Sequence, residues 1–247
     1  MNKLDRKGKR ARWTQARVAE RNYSSQLVKV ARQVGMIVQG MAPDGALKDV
    51  TQLVDTLTRY AEVVAPWAEA VARFMVADVD RRDRLMWKRN SGELGRSIRF
   101  EIEHAPTGHA MAQLQAEQVA LIKSLPLEAA KRVHELAVNT IPTGKRASSF
   151  EADILATGHV TESRARLIAR TETTRASSNL MQARAQYAGS DGYVWRTSDD
   201  FDVRPSHAEM EGKYVRWALP PTLDGLKGHA GCLPNCRCFS EPIFPDD

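Results

Sequence analysis

The sequence predicts an α+β chain that is mostly helical. An extended N-terminal helical region is followed by a small domain in which a long helix packs on a short antiparallel sheet. Three observations carry this. Aromatic residues make up only 6% of the 247 residues while alanine recurs throughout, which favours helices over a β-sandwich. Apolar residues return at three- and four-residue steps from about Ala11 to Asn139, the period of a helix face. Beyond Gly189 the texture shifts to short alternating runs with Gly- and Pro-rich turns, as strands require.

In chain order, residues 1–10 read as a basic tail. A first helix carries Trp13, Ala16, Tyr23, Leu27, Val30, Val34, Ile37 and Met41, and Met41-Ala-Pro-Asp-Gly45 breaks it. Leu47, Val50, Val54, Leu57 and Ala61 mark a second helix. Pro66 restarts the chain at a first-turn position, and the apolar face runs on through Trp67 and Phe74 to Trp87. Asn90-Ser-Gly92 kinks or ends this helix, with helical character resuming to about Glu103. After the break at Ala105-Pro-Thr-Gly108, one helix is expected to Leu125, and Pro126 is expected to open another that reaches Asn139. The turn-rich stretch 141–149 is the expected boundary between a helical region, 11–145, and a C-terminal domain, 146–247.

In that domain a short helix over about 148–156 is expected first. Thr161 then reads as an N-cap, with Glu162 in the first turn, for a long helix stopping at Gly189. Gly192–Thr197 and Lys213–Trp217 read as strands, with a helical turn at 205–210 between them. A Pro/Gly loop covers 218–231, and Cys238–Phe244 is a third strand.

Hydrophobic residues are 43% and charged residues 27%, ordinary for a globular chain. No stretch approaches the ~20 apolar residues of a membrane span, and no apolar segment follows the charged start, so no secretory signal is expected. The net charge is +6, but its distribution says more. The first forty residues hold ten Lys/Arg against Asp5 and Glu20, and the remaining 207 are slightly acidic. The basic character is thus an N-terminal feature, suited to a polyanion or to a solvated arm without a specific ligand.

Three groups of positions stand out. Glu172 falls in the apolar stripe of the long helix, with Ala165, Ile168, Ala176, Leu180, Ala183 and Tyr187. A buried carboxylate needs a partner, and Arg170 cannot face it at a spacing of two. Arg204 and His207 are the candidate partners. The pair would be structural or catalytic, or else Glu172 is exposed.

The three cysteines, Cys232, Cys236 and Cys238, lie within seven positions, which argues against a disulfide framework and for free thiols or a metal site. With His207, or His229 just before them, they make a Cys3His set that suits tetrahedral zinc, and a site filled by four protein ligands is structural. Asp199, Asp200 and Asp202, followed by His207, read either as a divalent-metal nuclease site with a histidine base or as a capped turn. Phosphate-loop, dinucleotide, zinc-protease and serine-hydrolase motifs are missing.

The run Arg166-Leu-Ile-Ala-Arg-Thr-Glu-Thr173, then Gly192-Tyr-Val-Trp195, Thr197-Ser-Asp-Asp200, Val203-Arg-Pro-Ser-His207, Gly212 and Asn235-Cys-Arg-Cys238 resembles the phage Mu F-like family of minor head, or head morphogenesis, proteins. The resemblance spans roughly residues 150–243. It implies a virion protein of tailed phages, present in few copies in the head interior after assembly in the host cytoplasm. It implies association with the portal protein and the major capsid protein and a part in head assembly, packaging of double-stranded DNA or DNA delivery. No catalytic activity comes with it, although related domains occur fused to toxins. Under the resemblance, Glu172, Arg204, His207, Cys236 and Cys238 would form a polar centre, and Cys232 lies outside the family pattern. The basic N-terminal helix, through Arg10, Arg12, Arg17, Arg21, Lys29 and Arg32, would touch packaged DNA or an acidic portal surface.

Overall fold

The computed structural model describes residues 16–42, 49–91, 104–143 and 147–244. The tail 1–10, Arg10 and Arg12, the turn at 43–45 and the helical continuation over 92–103 lie outside them. The expected α+β architecture is present: long helices come first and a small antiparallel sheet follows. The helices are α1 (Ala16–Met41), α2 (Val50–Val63), α3 (Ala65–Ser91), α4 (Gly108–Thr143), α5 (Ala147–Leu155) and α6 (Thr157–Tyr187). They are followed by β1 (Gly192–Arg196), the single turn α7 (Pro205–Ala208), β2 (Tyr214–Arg216), β3 (Thr222–Leu223), β4 (Leu226–Lys227) and β5 (Phe239–Ile243).

Most boundaries have local causes. Asp49 caps α2, its side chain accepting from the Gln52 N–H, which satisfies one of the first-turn donors. At the far end of α6, Gly189 adopts φ +87° and the Ser190 N–H donates to the Ala185 carbonyl, the left-handed closure that glycine makes inexpensive.

Three expectations fail. α4 runs unbroken through Pro126, so the proline forfeits one backbone hydrogen bond without ending the helix; Pro126 itself is buried. The described part of 141–149 is helical, with residues 141–143 closing α4 and Ala147 opening α5. Thr161 is no cap, since α6 begins at Thr157 and the Thr161 hydroxyl donates back to the Thr157 carbonyl at 2.8 Å. The loop 218–231 also holds an unforeseen hairpin. Thr222 pairs with Lys227 and Leu223 with Leu226, around Asp224 and Gly225 at φ +51° and +77°. That is the primed turn for which Asp-Gly is the strongest short signal.

The described residues divide into two compact units. One comprises those of Asn22–Arg73 and Gln115–Ala169. Its core joins Val34 and Val38 of α1, Leu53 and Leu57 of α2, Ala129 and Val133 of α4 and Ile154 of α5. The other comprises those of Met1–Arg21, Phe74–Leu114 and Arg170–Asp247. Its sheet has the order β2-β1-β5, antiparallel throughout, with Gly192 opposite Arg216 on one side and Ile243 on the other. Met86 and Trp87 of α3 and Met181 and Ala185 of α6 pack with Tyr193, Trp195, Val215 and Trp217 of the sheet region, so the long helix lies on the sheet as expected. Trp87, Trp195 and Trp217 are buried core residues rather than exposed stacking platforms.

Candidate metal centre and the polar network around it

The strands of the second unit are short, so hydrogen bonds from loop residues hold its ends in place. Thr197, just past β1, donates through its N–H and hydroxyl to Glu211 at 2.7 and 2.9 Å. The Gly212 N–H donates to the Trp195 carbonyl at 2.9 Å. These bonds fold the segment between β1 and β2 back on β1 and place α7 beside the end of the sheet. There His207 is buried, its ring meeting Trp195 edge-on at 5.7 Å between centroids.

The Cys-Arg-Cys segment, which leads into β5, is held at the same place by bonds to α6. Asn235, at φ +56°, is tied to the helix twice. Its N–H donates to the Thr171 hydroxyl at 3.0 Å, and its side-chain oxygen accepts from Arg170 at 3.0 Å. The Cys236 N–H donates to the Leu233 carbonyl. Arg237 then bridges Asp200 and Asp202, at 3.0 and 2.7 Å, and Arg204 donates to the Pro234 carbonyl at 3.0 Å and faces Asp224 at 3.6 Å. Segments far apart in sequence are therefore held together by direct bonds.

The product is a group of three buried ligands. His207 Nδ1 lies 3.4 Å from Cys236 Sγ and 3.5 Å from Cys238 Sγ, and the three atoms lie within 4.8 Å of one another. A tetrahedral zinc with Zn–S near 2.3 Å and Zn–N near 2.0 Å sets its nitrogen and sulfur ligands roughly 3.5 Å apart. The spacing therefore fits zinc. The Cys238 N–H points at Cys236 Sγ at 3.4 Å, a donor suited to a thiolate. Hydrogen bonding from the Cys238 thiol, against the opposing effect of burial, pushes Cys236 down, and the same contact with burial pushes Cys238 up. One thiolate is thus favoured before any metal arrives. A void of about 10 Å³ beside the three is bounded also by Asp202, Arg204 and Asn235, room for about one water-sized ligand. His207 Nε2 is buried without a hydrogen-bond partner among the described residues, so the usual outer acceptor on a zinc-bound imidazole is missing there.

The other candidates are dispersed. Cys232 is outside the group, its Sγ 3.7 Å from Asn179 Oδ1, and burial pushes its thiol up. The four-ligand set is therefore not assembled. His229 is also engaged elsewhere, between the Tyr193 hydroxyl at 3.2 Å and the Trp217 carbonyl at 3.1 Å. Glu172 is buried as the stripe required, and it accepts from Arg175 on its own helix at 2.9 and 2.5 Å; Arg204 instead reaches Pro234 and Asp224, and His207 the two cysteines. Asp199 and Asp202 are not among the ligand atoms gathered at His207; Asp202 lines the adjoining void and pairs with Arg237. Arg17, Arg21, Lys29 and Arg32 are exposed on α1.

One cluster escaped the sequence reading. Arg184, almost fully buried, pairs with Asp80 at 2.5 Å and with Asp83. Its signal was available, because Glu172, Ala176, Leu180 and Arg184 form a strict four-residue row.

A helical-plus-sheet module with a buried Cys2His centre is the class these features define. Residues 131–241 match the family model described as Phage Mu protein F like protein, which bears out the expected resemblance for the C-terminal half. An uncharacterised protein of Haemophilus influenzae is 33% identical over 134 residues, covering 54% of this chain and 29% of that protein. The chain thus spans less than a third of that relative's length. No solved structure matches the chain. None of the helices described is long and apolar enough to cross a membrane.

Proposed function

We propose that this chain is a non-catalytic minor head protein of a tailed phage. It sits in the head interior, contacts the portal protein and the major capsid protein, and acts in head morphogenesis, DNA packaging or DNA delivery. The observation that carries the reading is the Mu F-like match over residues 131–241, whose motif residues meet in one bonded network. The exposed Arg17, Arg21, Lys29 and Arg32 supply a basic helix surface for packaged double-stranded DNA or an acidic portal face, and such contacts weaken steeply with salt. The Cys2His group supplies three ligands to a zinc, and the adjoining void leaves room for one water-sized ligand in the fourth position. Domain organisation follows the same proposal, with residues 11–145 as a helical region and 146–247 as the Mu F-like domain.

The test is mass spectrometry with copy counting on purified particles from cells expressing this protein with its neighbouring genes. The expected result is a low copy number relative to the major capsid protein, with cross-links to the portal. Recovery of the protein wholly outside particles would overturn the reading.

A further inference from the structure

We propose that a cavity of about 320 Å³ in the unit containing the Cys2His group binds a phosphomonoester on an organic body of nucleotide size. This inference does not depend on a role in head assembly.

The charge of the wall is the first reason. Arg17 and Arg21 reach it from α1, Arg170 from α6, and Arg237 from between Cys236 and Cys238. Arg170 is steadied by Glu20 at 3.4 Å and by Asn235, and Arg237 by Asp200 and Asp202. Those two guanidinium groups are thereby held in position. Arg17 and Arg21 are exposed and have no ion-pair partner among the described residues, so an anion can reach both. Arginine forks match the oxygens of phosphate in pairs, and a dianion can engage several of them.

Hydroxyl groups supply the second reason. Ser198 lines the cavity, and its Oγ is buried with no hydrogen-bond partner among the described residues. A small rotation of the side chain would let that unmatched hydroxyl donate to a ligand oxygen. Ser177 adds a second hydroxyl to the wall.

The third reason concerns the body of the ligand. Met181, Ala230 and Phe239 make an apolar wall, and the volume lies in the range of small-molecule sites rather than of a bare ion. An anion with an attached planar or apolar group satisfies both halves. A free nucleotide and the 5′-phosphorylated end of a nucleic-acid strand both carry this chemistry.

The experiment titrates the full chain at physiological salt with 5′-dAMP, deoxyadenosine and inorganic phosphate. Two oligothymidylates of one length follow, one bearing a 5′-phosphate and one a 5′-hydroxyl. The expected result is that dAMP binds at least about tenfold more tightly than deoxyadenosine or inorganic phosphate. Arg21→Glu, at an exposed position, should weaken dAMP by about tenfold or more, and Ser177→Phe should do so by filling the cavity without changing its charge. A free nucleotide as the source gives tight dAMP with the two oligonucleotides equal. A strand end as the source gives a 5′-phosphorylated strand that binds better than its 5′-hydroxyl counterpart. The proposal is overturned if dAMP binds no better than deoxyadenosine, or if both folded variants bind dAMP as the unaltered chain does.

Discussion

At the level of single residues, burial and pairing decide what each charged group contributes. Asp83 is held against Arg184 in a nearly dry site, and burial, the largest influence, pushes its carboxyl up to about 7 despite the guanidinium. A carboxyl raised on folding binds its proton more tightly in the folded state. Its contribution to stability is therefore complete below the unfolded value near 3.8 and is lost as pH rises through about 7. Unfolding free energy measured in urea should carry a falling component between those values, and Asp83→Asn should remove it. An unchanged pH profile in the variant would show that Asp83 is ionised across the window. Glu172 calls for a smaller effect. One of its partners, Arg175, sits three residues along the same helix and is only partly buried, so loss of that pair in Glu172→Gln should by itself cost about 1 kcal/mol in a denaturant midpoint. A loss several times larger would mean that Glu172 holds a contact beyond its own helix.

At the level of elements, close approach matters more than propensity. Gly35 of α1 and Gly158 of α6 face each other within one unit, and a Cβ built on Gly158 would lie 2.9 Å from Gly35 Cα. A methyl group on Gly158 has no room against that backbone. Gly158→Ala should therefore destabilise by about 1–3 kcal/mol, the usual range for overpacking, although alanine has the better helix propensity. Gly35→Ala should be neutral or slightly stabilising, since its added Cβ would make an ordinary contact with Gly158 at 3.6 Å and alanine favours the helix. Equal stability of both variants in urea would show that the helices can part without penalty. Pro126 teaches a related lesson. A proline in a long apolar pattern was expected to begin a helix, yet α4 continues through it, because burial of the surrounding turns offsets one lost hydrogen bond.

At the level of the whole molecule, the Cys2His group is a tie between α7 and the segment leading into β5, two parts of a unit with few strand residues. A ligand that binds only the folded form raises its stability by mass action. Removing zinc with a chelator should lower the melting temperature, and Cys236→Ser should reproduce the loss and abolish the chelator response. Cys232→Ser should keep that response, because its sulfur lies outside the group. Metal analysis of the folded, purified chain that returned no zinc, with no effect of chelator, would rule the tie out.

What could be read without coordinates was local or repetitive. Helical periodicity placed α1, α2, α3 and α6, Gly189 marked the end of the long helix, and the ordered motifs of the last hundred residues identified the Mu F-like segment and placed His207, Cys236 and Cys238 among its central residues. These follow from short-range geometry, in which side-chain period and backbone freedom act within a few residues. Contacts across the chain were another matter. That Cys232 stands apart, that His229 is taken up by Tyr193 and Trp217, that Arg237 gathers the aspartates and that Arg184 is buried against α3 depend on which distant segments pack together. Residue type and spacing define the groups that can pair. Only the folded arrangement brings particular groups within a few ångströms, and burial there makes leaving one unpaired costly.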